Sequence, residues 1–170
     1  MLRFSAVLPI VLAALPAFAQ NTGTQQLVSE QGWTALAYSE KDGKVCYLVG
    51  TPEKSEPAGL SRGRIDLYVT QRPGEEALNV VHFDAGYPYK PGSSADLDID
   101  GRKFTLFTDK DSAWSADSAT DKAITEALAK GKHATLKGSS ARGTATTDTY
   151  ALAGFDTALA AIDKACGVKR

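Results

Sequence analysis

The chain has 170 residues, of which 43% are apolar and 23% charged, and its formal net charge is −1. That is ordinary globular composition: it excludes a disordered chain and leaves room for one core but not for two ordinary domains. The even charge balance lacks the basic excess of a nucleic-acid binder, so no nucleic-acid partner is expected.

The N-terminus reads as an address. Met1-Leu2-Arg3 is a short basic start, Phe4 to Leu15 is almost wholly apolar, and Ala17-Phe18-Ala19 fits a small-x-small cleavage site. Residues 1–19 are therefore expected to be a cleaved export signal, with Gln20 the first mature residue. A membrane anchor is the competing reading. It needs about 20 apolar residues, whereas this stretch is shorter and interrupted by Pro9 and Pro16. No cysteine lies near the cleavage site to carry a lipid, and no later segment is long and apolar enough to span a bilayer as a helix, so no transmembrane anchor is expected.

Residues 20–31 are polar and read as a flexible lead-in to a single domain over residues 32–170. Trp33 to Tyr38 alternates as a strand does, Lys41-Asp42-Gly43-Lys44 is a turn, and Val45 to Val49 is a second strand. Residues 51–61 hold two prolines and a glycine and read as a loop. Strands follow at Ile65 to Thr70 and Leu78 to Phe83, separated by the turn Arg72-Pro73-Gly74-Glu75. Residues 86–94 form a loop with two tyrosines expected to be exposed, Tyr87 and Tyr89.

Residues 95–107 give a hairpin around Asp100-Gly101, because both residues tolerate positive φ. Its register sets Leu97 opposite Phe104 and Asp98 opposite Lys103, one apolar face and one charged. A helix is predicted from Ala119 to Lys130, capped by Ser118 and stopped by Gly131, with Ile124, Ala127 and Leu128 as its stripe. Strands at His133 to Lys137 and Ala145 to Leu152 flank the polar connection 138–144. A last helix runs from Phe155 to about Ala165, where Phe155, Ala158, Leu159, Ile162 and Cys166 share one face. The sum is a mainly β (α+β) domain: an antiparallel β-sandwich or partly closed barrel with two helices, one of them C-terminal.

The chain has two cysteines, Cys46 and Cys166. An even count in an exported protein suggests one disulfide, and the shared helix face turns Cys166 toward the core side where strand Cys46 could meet it. A redox pair or a metal site is the alternative. There is no Cys-x-x-Cys, and a structural zinc needs about four ligands, against two cysteines and two scattered histidines here. Asp96-x-Asp98-x-Asp100-Gly101 opens like a calcium loop, but the position that should supply a bidentate Glu is Phe107. No metal and no cofactor are expected.

His82 and His133 each lie in a predicted strand without a partner at ligand spacing, and no Gly-x-Ser-x-Gly elbow marks a nucleophile. No catalytic residue is assigned. The connection from Gly138 to Thr144 could hold an anion through its backbone and Arg142, although it lacks the ending of a P-loop. Arg62, Arg64, Arg72 and Arg142 could cluster and favour acidic partners. Tyr87, Tyr89 and Trp114, in or beside loops, are binding anchors or lids over the core.

Together these pieces resemble the invasion-associated locus B family of Gram-negative exported proteins. The matching residues are Cys46-Tyr47, the Pro52 to Ser55 loop, Arg62-Gly63, and Thr70-Gln71-Arg72-Pro73-Gly74. They continue with Gly86-Tyr87-Pro88, Phe104 to Phe107, Ala113-Trp114 and, most specifically, Lys137 to Thr144 leading to Asp148-Thr149-Tyr150. Gly154-Phe155, Ala158-Leu159 and Ile162 to Cys166 close the chain. The resemblance implies a periplasmic or outer-membrane location and, from the family's name, a role in invasion. It supplies no defined activity and no catalytic residues, and the Cys46–Cys166 pairing fits its pattern.

The expected function is therefore a non-enzymatic, exported binding protein of the cell envelope, monomeric or weakly dimeric. Its contacts would be Tyr87, Tyr89, Arg72, Arg142 and Trp114, and its partner an envelope or host-surface protein or glycan. A surface-exposed invasion or adhesion factor is the alternative. A small envelope hydrolase using His82 or His133 is a third reading.

Overall fold

Inward residues alternate along each long strand and set the core. Trp33, Ala35 and Ala37 on β2 (Trp33–Glu40), Cys46 and Leu48 on β3 (Gly43–Gly50) and Leu67 and Val69 on β5 (Asp66–Arg72) are all buried. A computed structural model describes residues 23–170. The export signal read over residues 1–19, and the start of the lead-in, lie outside the described residues.

The remaining strands are β1 (Gln25–Glu30), β4 (Lys54–Glu56), β6 (Ala77–Asp84), β7 (Ser94–Ile99), β8 (Arg102–Asp109), β9 (Ser112–Trp114), β10 (His133–Ser139) and β11 (Ala145–Ala151). The helices are α1 (Ser118–Lys130) and the C-terminal α2 (Phe155–Cys166). All the strand pairs are antiparallel and form one sheet of eleven, ordered β1-β2-β3-β5-β6-β9-β8-β7-β10-β11-β4. β1 and β4 are its edges, so the sheet is not closed into a barrel. It bends across its own core instead. Phe83 on β6 meets Tyr150 on β11 edge to face at 5.8 Å, and the Trp33 indole donates to the Ala151 carbonyl at 3.0 Å.

The mainly β reading with two helices holds among the described residues, where the eight expected strands become eleven. The loose lead-in gives way at Gln25–Glu30 to β1, which pairs with β2 around a bulge between Gln26 and Val28. Its polar sequence is that of a half-wet edge strand, so the alternation that marks a strand is missing. β4 and β9 are three residues each, too short for a period to register. The hairpin has the predicted register, with Leu97 opposite Phe104 and Asp98 opposite Lys103. Asp100 and Gly101 take φ of 47° and 93°, and Asp98 accepts from the Gly101 N–H at 2.7 Å. Asp100 accepts from the Lys132 and His133 N–H groups, tying the hairpin tip to β10. Asp98 and Asp100, two of the three carboxylates that gave the run its calcium-loop look, are thus engaged by the backbone.

The first helix starts one residue earlier than expected. Asp117, not Ser118, caps it by accepting from the Thr120 N–H at 2.7 Å. Asp121, in the first turn, reaches across to accept from the Val81 N–H at 2.8 Å. On β6 the short β9 pairs with His82 to Asp84, so α1 serves a part of β6 that β9 leaves open. α2 buries Phe155, Ala158, Leu159 and Ile162, and Cys166 at its end is disulfide-bonded to Cys46 on β3.

Candidate functional site

Three connections meet at one place: residues 57–65 before β5, 85–93 after β6, and 140–144 between β10 and β11. Their backbones bond to one another. Gly63 N–H donates to Gly86 O at 2.7 Å, Ala141 N–H to Pro88 O at 2.8 Å, and Lys90 N–H to Ser139 O at 2.9 Å. The approach at Gly86 requires glycine. Its φ is +69°, and a Cβ there would stand 2.6 Å from the Gly63 carbonyl oxygen.

Beneath these loops lies a buried ion pair. Arg62 grips Asp148 of β11 with both terminal nitrogens, Nη1 to Oδ2 at 3.1 Å and Nη2 to Oδ1. The two side chains are 4% and 2% exposed. Burial pushes the Asp148 carboxyl up, while hydrogen bonds from Ser55 and Arg62 pull it back. The Arg62 guanidinium also sits 5.4 Å from the centre of the Tyr87 ring. Tyr87 shares a hydrogen bond with the Thr146 hydroxyl and packs edge-on against Tyr89 at 5.3 Å. Arg62 and Tyr87 are thereby held by each other and by Asp148, Thr146 and Tyr89.

Above the ion pair the loops enclose a groove of about 370 Å³, lined by residues 60–63, 86–88, 140–142 and Thr144. That lies within the range of small-ligand sites, about 300–1,000 Å³. Among the described residues its charged lining residues are Arg62 and Arg142, and no carboxylate lines it. Ser61, Ser140 and Thr144 supply hydroxyls, and Leu60, Tyr87 and Pro88 supply apolar surface. On the other side of Tyr87 and Pro88 is a shallower hollow reached by Arg64, Asp84, Lys110 and Asp111.

Of the five predicted contact residues, Tyr87 and Arg142 meet in this groove. Tyr89 does not reach it. The expected exposed tyrosine is 5% exposed and fills the space that a side chain at Gly138 would need, its ring 2.5 Å from a Cβ built there. Burial pushes its phenol far above the usual value.

Arg72 lies elsewhere, as the last residue of β5. It pairs with Glu40 at 2.7 Å and Glu75 at 3.3 Å, and the crevice beside it holds about 10 Å³, room for about one water. Trp114 lies on the outer face of the sheet. It stacks on His82 at 4.3 Å, and His82 stacks on Tyr68 at 4.5 Å. Arg64 pairs with Asp66 at 2.6 Å. The expected four-arginine cluster thus reduces to Arg62 and Arg142. His133 is exposed on β10, and among the described residues neither imidazole makes a side-chain hydrogen bond to a hydroxyl or a carboxylate.

Sequence reasoning missed Asp148 as the partner of Arg62. One signal was available. Thr146, Asp148 and Tyr150 alternate, and all three are buried. A carboxylate on the core face of a strand demands a cation.

No helix among the described residues is long and apolar enough to cross a membrane. Comparison with curated proteins and with solved structures finds no significant match. A family model does match, that of the invasion associated locus B (IalB) protein, over residues 33–163. That span runs from the first residue of β2 into the last turn of α2 and takes in all three groove loops. The chain belongs to the invasion associated locus B family.

Proposed function

We propose that this protein is an exported binding protein of the bacterial cell envelope, and that the groove over Arg62 and Asp148 is its recognition site. One observation carries the reading. Arg62-Gly63, Gly86-Tyr87-Pro88 and Ser140 to Thr144 are remote in sequence, each belongs to the family resemblance, and they line one cavity of ligand size. The loops are tied to each other and to a buried ion pair, so the groove is organised before anything enters it. Binding needs no covalent step, and the side chains present offer hydrogen bonds, one free cation and apolar surface. Membership of a family of exported proteins and the disulfide both favour an oxidising compartment outside the cytoplasm.

The test is co-sedimentation of the purified mature protein with isolated cell envelopes. The wild type and Arg72→Ala are expected to sediment alike, and Arg142→Glu to remain in the supernatant. Equal sedimentation of Arg142→Glu and wild type would remove the groove from the reading. The family name favours a second reading, a surface-exposed invasion or adhesion factor. Protease shaving of intact cells separates the two, because a protein inside the outer membrane resists shaving and leaves with the osmotic-shock fraction.

A further inference from the structure

The groove's charges and its own hydrogen bonds narrow what it can take. Arg62 is committed to Asp148 and contributes little net field. Arg142 is exposed and makes no ion pair among the described residues. With no carboxylate in the lining, the groove is a small cationic spot on a chain whose net charge is −1. A single free guanidinium with nothing to neutralise it selects an anion, and its planar fork matches a carboxylate.

The backbone argues against a peptide. Extended peptides are commonly held by pairing with free N–H and C=O groups of a sheet edge. Here four backbone N–H groups of the loops are spent on carbonyls of the same loops: Gly63 on Gly86, Ala141 on Pro88, Ser140 on Thr144, and Gly143 on Ser140. Ser61 and Thr144 offer hydroxyls beside Arg142. Leu60, 39% exposed, lines the groove with Tyr87 and Pro88 and is one of two large hydrophobic residues left in solvent among those described. A free anionic anchor, hydroxyl partners and an apolar wall suit a ring that carries a carboxylate, several hydroxyls and a C–H face.

Resting on the reading of the groove as a recognition site, we infer that its ligand is an acidic glycan. One uronate-type sugar places its carboxylate on Arg142, its hydroxyls against Ser61 and Thr144, and its C–H face against Tyr87 and Pro88. The carboxylate supplies attraction, and the hydroxyls and the apolar face distinguish a sugar from other anions.

The experiment is an amide NMR titration of the purified mature protein with tri-galacturonate. Maltotriose, tri-glutamate and inorganic phosphate are run as separate probes. Tri-galacturonate is expected to shift residues 60–63, 86–88 and 140–144 together. Arg142→Ala is expected to weaken binding at least tenfold while keeping the rest of its spectrum, which shows that the variant is folded. Maltotriose is expected to bind at least tenfold more weakly than tri-galacturonate. Equal or tighter binding of tri-glutamate or phosphate would overturn the sugar assignment, as would an unchanged affinity in Arg142→Ala or shifts confined to other residues. If tri-galacturonate shifts nothing while Arg142→Glu still abolishes envelope sedimentation, the groove stands and the acidic sugar falls. If both fail, the recognition site falls with it.

Discussion

Two regions of this molecule are built from tyrosine and arginine, and they use them oppositely. On the outer face of the sheet, Tyr38, Tyr47, Tyr68, His82 and Trp114 come from five neighbouring strands and form a continuous row. Successive ring centres lie 6.1, 6.4, 4.5 and 4.3 Å apart. At one end Arg72 reaches the Tyr38 hydroxyl and is neutralised by Glu40 and Glu75. Each ring and charge in that row is already answered by a neighbour, as cross-strand pairs are when they stabilise a sheet. In the groove the opposite holds. Arg62 is consumed below the surface and Arg142 is left over, beside a concave wall with no acid in it. Residue type does not distinguish a recognition site from a reinforced surface; an unanswered group in a concavity does.

The disulfide tests the first half of that contrast most strongly. It fastens the end of α2 to β3, one residue from Tyr47 of the row, and spans 120 positions. On the chain-entropy relation a bridge over such a span is worth about 5 kcal/mol. Cys46→Ser and Cys166→Ser are expected to lower the unfolding free energy from urea titration by close to that amount, with the double variant no worse than either. Below the new transition the groove resonances should not move, since none of its lining comes from α2 or β3.

Arg62→Ala probes the groove and comes next in size. It leaves the Asp148 carboxyl buried without its cation, which costs about 3–5 kcal/mol. It also removes the support of Tyr87, so envelope retention should fall together with stability. Exchanging both partners, Arg62→Met with Asp148→Leu, should recover much of the stability without recovering retention. Recovery of both would mean that the pair only fills space.

What could be read from the sequence follows the range of the interaction concerned. The Asp100-Gly101 hairpin and the apolar face of α2 were legible because turn chemistry and a helical period act over a few residues. Tyr87 and Arg142 could be picked as loop residues of binding type, but nothing local told them from Arg72 and Trp114. That distinction rests on Arg62 finding Asp148 across 86 residues and on Glu40 and Glu75 converging on Arg72. Tyr89 shows the same limit. It sits two positions from Tyr87 in the same loop, yet it is buried because Gly138, on another strand, leaves room for its ring. The strand β1 was hidden for a different reason: its partner β2 makes it a strand, and its own polar side chains do not.

The mildest perturbation, pH, separates the two regions without any substitution. His82 lies between Tyr68 and Trp114, and burial lowers its pKa although Asp84 and Asp66 pull it the other way. The folded chain therefore keeps this imidazole neutral at pH values where the unfolded chain, titrating near about 6.5, is already protonated. The contribution to stability is whole above that value and drains away as the pH falls toward the lowered folded value. The melting temperature should decline from pH 7.5 to pH 5.5, and His82→Gln should flatten that slope. The groove has no imidazole or carboxylate in its lining, and a uronate stays ionised throughout this window. Retention of tri-galacturonate measured well below the melting temperature should therefore stay level while stability slopes. If retention falls with the melting curve and His82→Gln levels both, the aromatic row and the groove are coupled through the strands they share, and the division between a reinforced face and a recognition face is wrong.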